Sequence, residues 1–306
     1  MPSRFRLYAG LVAVAVIWGS SFVAGKYAVG MASPVPFAAL RFALASVLLL
    51  PLLFAQEGRR GMPRRRELPG LVFLGLTGIF GYNLCFFYGL RENAAGLSAL
   101  VVAANPVLIN LLAAALLGER LRPAGALGLV AALAGVFLVL DGGTGRLHLA
   151  GLLEPRRFLL YGAAGCWALY TLEGKVLLRR ISPLKATAWA SLLGTVPLAA
   201  LGLWHGGLAA LTGLSLGGWL LAAYFAVFVT VLAFLWYYRG VAVLGAGRAA
   251  AFIPLLPVVA LGLSAVVYRE TMSWLQLAGA AAVVGGVVLL ARPRGERGAA
   301  EAAEAD

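Results

Sequence analysis

Asn105 is the polar residue set deepest in an otherwise apolar stretch of this chain, and it stands directly before Pro106. Its amide both donates and accepts hydrogen bonds, so it can grip an organic solute by its polar end. Asn83 offers the same chemistry in another apolar run. Pro106, Pro254 and Pro257 interrupt apolar runs too. Each lacks an N–H and frees the carbonyl one turn back, which a solute, cavity water or a neighbouring helix must then satisfy. These prolines are candidate hinges, and Tyr237, in the Trp236–Tyr238 aromatic run, is a candidate gate or interfacial belt residue. Trp18, Ser21, Phe22 and Gly25 fall at i, i+3, i+4 and i+7, as do Trp167, Tyr170, Thr171 and Gly174. Each set makes one helical face of aromatic, hydroxyl and small residues. Such a face suits an amphiphilic organic molecule or, equally, close helix packing.

Two ionisable residues complete the candidate binding set. Arg41 lies about a turn and a half into an apolar run and suits a carboxylate, or a structural tie to carbonyls. Glu173 suits a substrate ammonium or a coupling proton, or a pair with Lys175 or Arg179. Lys26 and Lys175 lie near helix ends, where long side chains reach the interface. Glu119 and Glu270 fit a role in fixing helix ends. No catalytic set is expected. Cys85 and Cys166 sit in apolar runs, and His148 and His205 stand alone, so neither a disulfide framework nor a metal centre is indicated. Gly25-Lys26 is the nearest approach to a phosphate loop, but Ser20 and Tyr27 break the pattern. No cofactor is expected.

The elements that carry these residues follow from composition. Of 306 residues 62% are hydrophobic and 12% charged, and the mean hydropathy is +0.91. Soluble domains are about 45–50% apolar and about 25% charged, so soluble enzymes, nucleic-acid-binding domains and disordered chains are excluded. The bilayer is the expected partner. Apolar runs predict ten membrane helices near 7–29, 36–55, 69–90, 95–117, 123–141, 158–178, 184–204, 216–238, 248–268 and 274–291. A cleaved signal peptide is not expected, because the first run is long and has a later internal copy.

The net charge of +13 reads as orientation rather than nucleic-acid binding. With the N-terminus inside, 17 Lys and Arg fall in cytoplasmic segments and 5 in outer ones. Both termini are therefore expected in the cytoplasm of a cell whose inner membrane holds the chain. The last residues, 292–306, are polar and are expected to be a disordered tail.

The chain also repeats itself. Trp18 to Lys26 matches Trp167 to Lys175, and Ser33-Pro34 matches Ser182-Pro183, both at an offset of 149. Pro106 and Glu119 match Pro257 and Glu270 at 151, as do Gly128 and Gly135 with Gly279 and Gly286. Residues 1–141 and 158–291 thus form two five-helix repeats joined by an outer linker at 142–157. An odd number of spans inverts the second copy, which is the construction of alternating-access transporters. The Gly stripes of spans five and ten suit a scaffold or a homodimer surface.

The segments from Ile17 to Lys26, Leu40 to Ala45, Leu117 to Leu121 and Gly247 to Phe252 resemble EamA-type members of the drug/metabolite transporter superfamily. The resemblance covers essentially all ten spans. It implies an all-α membrane protein of two inverted five-helix repeats, exporting small metabolites through a cavity between the halves. The second half departs from the family pattern at Tyr268-Arg-Glu-Thr271 and in the charged run Glu154 to Arg157. The expected cargo is a small amphiphilic metabolite, amino acids first, since Arg41 and Glu173 together suit a zwitterion. A hydrophobic-cation or multidrug exporter is the runner-up. A channel-like or lipid-scrambling protein would need a continuous polar stripe, and a membrane enzyme would need clustered His, Asp or Glu; the sequence carries neither.

Overall fold

The computed structural model describes residues 4–103, 105, 108–109, 111–112, 115, 123–140, 154–204, 206–244, 252 and 255–291. Within them every regular element is helical. The rods are α1 (Arg4–Met31) and α2 (Pro34–Glu57), then a composite rod of α3 (Leu68–Leu74), a π-helical stretch (Gly75–Gly81) and α4 (Tyr82–Glu92). Next come α5 (Ala95–Ala103), α6 (Pro123–Leu140), α7 (Pro155–Leu177), α8 (Pro183–Trp204) and the short α9 (Gly207–Thr212). A second composite rod joins α10 (Leu216–Tyr224), a π-helical stretch (Phe225–Leu232) and α11 (Ala233–Leu244), followed by α12 (Leu255–Tyr268) and α13 (Trp274–Ala291). Among the described residues five helices are long and apolar enough to cross a membrane: Phe5–Met31, Pro34–Gly61, Leu68–Glu92, Pro183–Trp204 and Leu216–Tyr237. The tail, most of the 142–157 linker, and Pro106, Glu119 and Pro254 lie outside the described residues.

Local sequence sets the rod ends. Pro34 opens α2 with a φ already suited to a helix, and Ser33 before it is extended. Gly58 closes that helix at φ 54, a left-handed value that glycine tolerates, and donates its N–H to Phe54 O. Ser215 caps α10 by accepting from Gly218 N at 3.3 Å. Lys26 Nζ donates to the carbonyls of Leu90, Arg91 and Asn93 at 2.7–3.2 Å, satisfying the carboxyl end of α4. Glu270 accepts from Ala95 N and Gly96 N at 3.1 and 3.2 Å, capping the start of α5 from another part of the chain.

The two π-helical stretches begin 150 residues apart, at Gly75 and Phe225. That is the spacing of the sequence repeat. A π turn adds one residue and reorients carbonyls; here Val229 O accepts from Trp18 Nε1 at 3.1 Å and Ile79 O from Asn83 Nδ2 at 2.7 Å. Packing follows the same correspondence. α2 lies against α8, α5 against α12, α6 against α13, and α1 meets α11 as α7 meets α4.

The α6–α13 contact uses the Gly stripes. A Cβ on Gly135 would come within 2.5 Å of Gly279 O, and one on Gly286 within 2.5 Å of Gly128 O. The stripes face each other within one chain. The rest of α6 carries Leu127, Val130 and Leu133, which are exposed.

One buried ion pair anchors the segment between α2 and α3. Lys185 Nζ lies 2.8 Å from Glu67 Oε2 and donates to Arg60 O at 3.1 Å. Trp189 Nε1 donates to Gly61 O at 2.8 Å, and Ser182 Oγ donates to Glu57. Burial pushes the Glu67 carboxyl up, but the Lys185 hydrogen bond, the Arg64 N–H and the charges of both residues outweigh it and hold the group below its ordinary value.

Candidate functional site

α1 and α7 bring Trp18 and Trp167 edge to face, with ring centroids 6.2 Å apart. Phe234 of α11 completes a triangle, 5.6 Å from Trp18 and 6.1 Å from Trp167. Tyr82 lies 5.1 Å from Trp167 and stacks on Phe86 at 5.5 Å. These rings wall a cavity of about 100 Å³. Ser21, Phe22, Arg41, Phe42, Gly78, Ile79, Asn83, Val102, Asn105, Ile109, Val229 and Leu256 complete the lining. Both halves of the chain contribute.

The polar residues of this lining are buried and incompletely satisfied. Asn83 is 1% exposed, Asn105 4% and Arg41 5%. Asn83 spends its amide N–H on Ile79 O and leaves Oδ1 unpartnered. Both amide atoms of Asn105 are unpartnered. Arg41 reaches Thr230 Oγ1 through Nη2 at 3.3 Å, while Nε has no partner. The guanidinium lies 4.5 Å from the Phe42 ring centroid and 4.7 Å from that of Phe225. Buried polar atoms are paired in the great majority of cases, with protein or with ordered water, so such a cluster around one space makes it the candidate site. No acidic residue lines the cavity among the described residues.

Of the residues singled out from the sequence, Trp18, Ser21, Arg41, Asn83, Asn105 and Trp167 are brought to this cavity. Tyr170 is one layer behind: it is 3% exposed, packs 5.4 Å from Trp167 and occupies the space that a side chain on Gly78 would need. Thr171 returns its hydroxyl to Trp167 O at 2.8 Å and is not in the lining. Glu173 is not brought to the cavity. Its Oε1 lies 2.7 Å from a Cβ built on Gly70, at the start of α3. The reason is angular: six residues at 100° each place Glu173 about 120° around α7 from Trp167. Tyr237 packs 5.3 Å from Trp18 and, with Leu11, Val14 and Phe252, lines a small void beside the cavity. Pro257 is buried in α12 next to the lining residue Leu256. Pro106 and Pro254 are outside the described residues.

The residues not singled out from the sequence are chiefly walls: Phe42, Gly78, Ile79, Val102, Val229 and Phe234. Ordinary apolar residues at the π-helical stretches carry no signal of their own, because the extra residue in the turn decides which way they face.

The EamA-like transporter family matches residues 6–141 and again 157–292. An uncharacterized transporter of Bacillus subtilis, YyaM, is 31% identical over 93% of this chain and 93% of its own. A probable terminal-alkyne amino-acid exporter of Streptantibioticus cattleyicolor is 29% identical over 92% of each. A solved structure superposes with a TM-score of 0.65 over 94% of this chain and 96% of its own at 21% identity, which establishes likeness of fold. With the family matched twice along nearly the whole length, the chain belongs to the EamA-like transporters.

Proposed function

We propose that this chain is an inner-membrane secondary transporter that exports small amphiphilic metabolites, such as amino acids, by alternating access. The observation that carries the proposal is the cavity walled by residues of both halves, with Arg41, Asn83 and Asn105 turned to it and unsatisfied. Ten spans, both termini cytoplasmic and an inverted second repeat complete the reading. The two π-helical stretches flank the cavity at repeat-equivalent places, so a change of pitch in either shifts one wall. Pro257, Pro106 and Pro254 are assigned as further hinges. Tyr237 against Trp18 is assigned as a gate on the side of the cavity nearer the N-terminus of α1. The relatives' names support an amino-acid cargo, while the aromatic walls favour the rival, a hydrophobic cation.

The test is uptake and counterflow in proteoliposomes with a panel of amino acids, sugars and cationic dyes, with and without an imposed proton gradient. The expected result is saturable exchange of amphiphilic metabolites that falls on Asn105→Ala and Trp167→Ala while membrane levels hold. Leu133→Ala, on an exposed helix face, should change little. Equal losses at all three positions would mean that packing has been mistaken for binding.

A further inference from the structure

Arg41 presents a buried positive charge to the cavity, and no acidic side chain answers it among the described residues. Of the side-chain cations a guanidinium holds its proton most firmly. Its described neighbours include the Thr230 hydroxyl, the faces of Phe42, Phe87 and Phe225, and the neutral phenols of Tyr82 and Tyr224. None carries a negative charge, and Nε is left without an acceptor. An intramembrane cation is costly unless something compensates it. The neutral amides supply the rest of the polar surface: Asn83 offers an unpartnered acceptor, and Asn105 an unpartnered donor and acceptor. Glu173, the acid that would have suited an ammonium, lies away from this space.

Resting on the exporter reading above, we infer that the cargo is recognised as a monoanion: a small carboxylate whose charge rests on Arg41. A single neutral donor on the cargo, a hydroxyl or an amide N–H, is read by Asn83 and Asn105. Its apolar body lies among Trp18, Trp167 and Phe234. The ammonium of an amino acid is tolerated as a donor, and it is not what the site selects. A free cation is repelled by Arg41, and the aromatic faces alone do not offset that repulsion. The class is therefore that of small 2-hydroxy acids and N-acylated amino acids, with zwitterions accepted less well.

The test uses three solutes with one carbon skeleton: leucine, 2-hydroxy-4-methylpentanoate and 3-methylbutylamine. Each is titrated against the purified full chain in detergent, reading the melting temperature, and each is used as a competitor in proteoliposome counterflow. The hydroxy acid is expected to raise the melting temperature at lower concentration than leucine, and the amine to have no effect. Arg41→Gln should weaken the hydroxy acid response by about ten- to a hundredfold. Arg41→Lys, which keeps the charge and loses the planar fork, should retain a weakened response and serves if the glutamine variant does not accumulate. Asn105→Leu should narrow the difference between the hydroxy acid and its deoxy analogue, 4-methylpentanoate. Stabilisation by the amine, a requirement for the ammonium, or an undiminished acid response in both Arg41 variants overturns the inference and leaves the exporter reading standing. If none of the three solutes binds while other members of the panel are exchanged, the carboxylate assignment fails alone. If the melting shifts are as expected and no solute crosses the membrane, the exporter reading fails and the carboxylate site stands.

Discussion

Lys185 and Arg41 are both buried cations, each about 5% exposed, and the fold treats them in opposite ways. Lys185 is closed off by a carboxylate at 2.8 Å and a carbonyl at 3.1 Å, on a segment further held by Trp189 and Ser182. Arg41 has one long bond to a hydroxyl, aromatic faces and a free Nε beside open space. The first arrangement is complete without any other molecule, and it fastens the segment between α2 and α3 to α8. The second is incomplete and lies where both halves of the chain meet. A buried charge contributes to the fold when its partner is built in; Arg41, whose partner is left out, is the charge assigned above to the proposed cargo.

Removing the built-in partner should have the largest effect. Glu67→Ala strands the Lys185 ammonium, and we predict a loss of about 2–3 kcal/mol in stability, since the pair is covered yet close to the helix ends. Thermal melting in detergent checks this. The solute-induced melting shift should survive, and its loss would show that the two sites are coupled.

A wall defect comes next. Gly78→Leu drives a side chain into the Tyr170 ring, which already lies 2.1 Å from where a Cβ would be. We predict a cost of about 1–3 kcal/mol from overpacking together with impaired solute binding. The paired readouts are melting temperature and counterflow. A variant that is destabilised but binds normally would show that the wall at Gly78 does not shape the binding space.

The pH dependence sharpens the contrast. Because the folded Glu67 carboxyl is held below its ordinary value near 4.5, folding binds fewer protons there than unfolding. Its contribution is therefore fully present above that value and is lost as pH falls through the lower folded one. Melting curves from pH 6 down to pH 3 should show this acid limb, and Glu67→Gln should flatten it. An unchanged limb in the variant would place the acid sensitivity elsewhere.

Smaller still is the expected stability change in Arg41→Gln, within about 1 kcal/mol of the parent or slightly stabilising, because an uncompensated buried charge is removed. A loss as large as that of Glu67→Ala would make Arg41 a structural residue. The smallest effect is expected for Glu173→Gln, which touches no cavity atom. Solute affinity and the pH profile of transport should match the parent. A changed profile would give Glu173 a coupling role acting at a distance from the bound solute.

Much of this was legible from the residues themselves. The apolar runs mark the rods, because a helix in lipid must be apolar along its length. Trp18, Ser21 and Trp167 were found through their helical spacing, and Asn83, Asn105 and Arg41 because a polar group in an apolar run is expensive unless used. Glu173 obeyed the same rule of expense but sits about 120° around α7 from Trp167; depth in the run was legible and rotation was overlooked. Phe234 and Val229 were out of reach for another reason. They follow or lie within Phe225–Leu232, where the π-helical turn breaks the 3.6-residue period on which face assignments depend.

The contact between α6 and α13 has a two-fold pattern. Gly135 meets Gly279 and Val283, and Gly286 meets Gly128 and Ala132. At the offset of 151 these are the same three positions read in both directions, the self-complementary pattern of a two-fold interface between identical subunits. A side chain added at Gly135 or at Gly286 would therefore strike the backbone of the opposite helix, so the same contact can be loosened from either half of the chain.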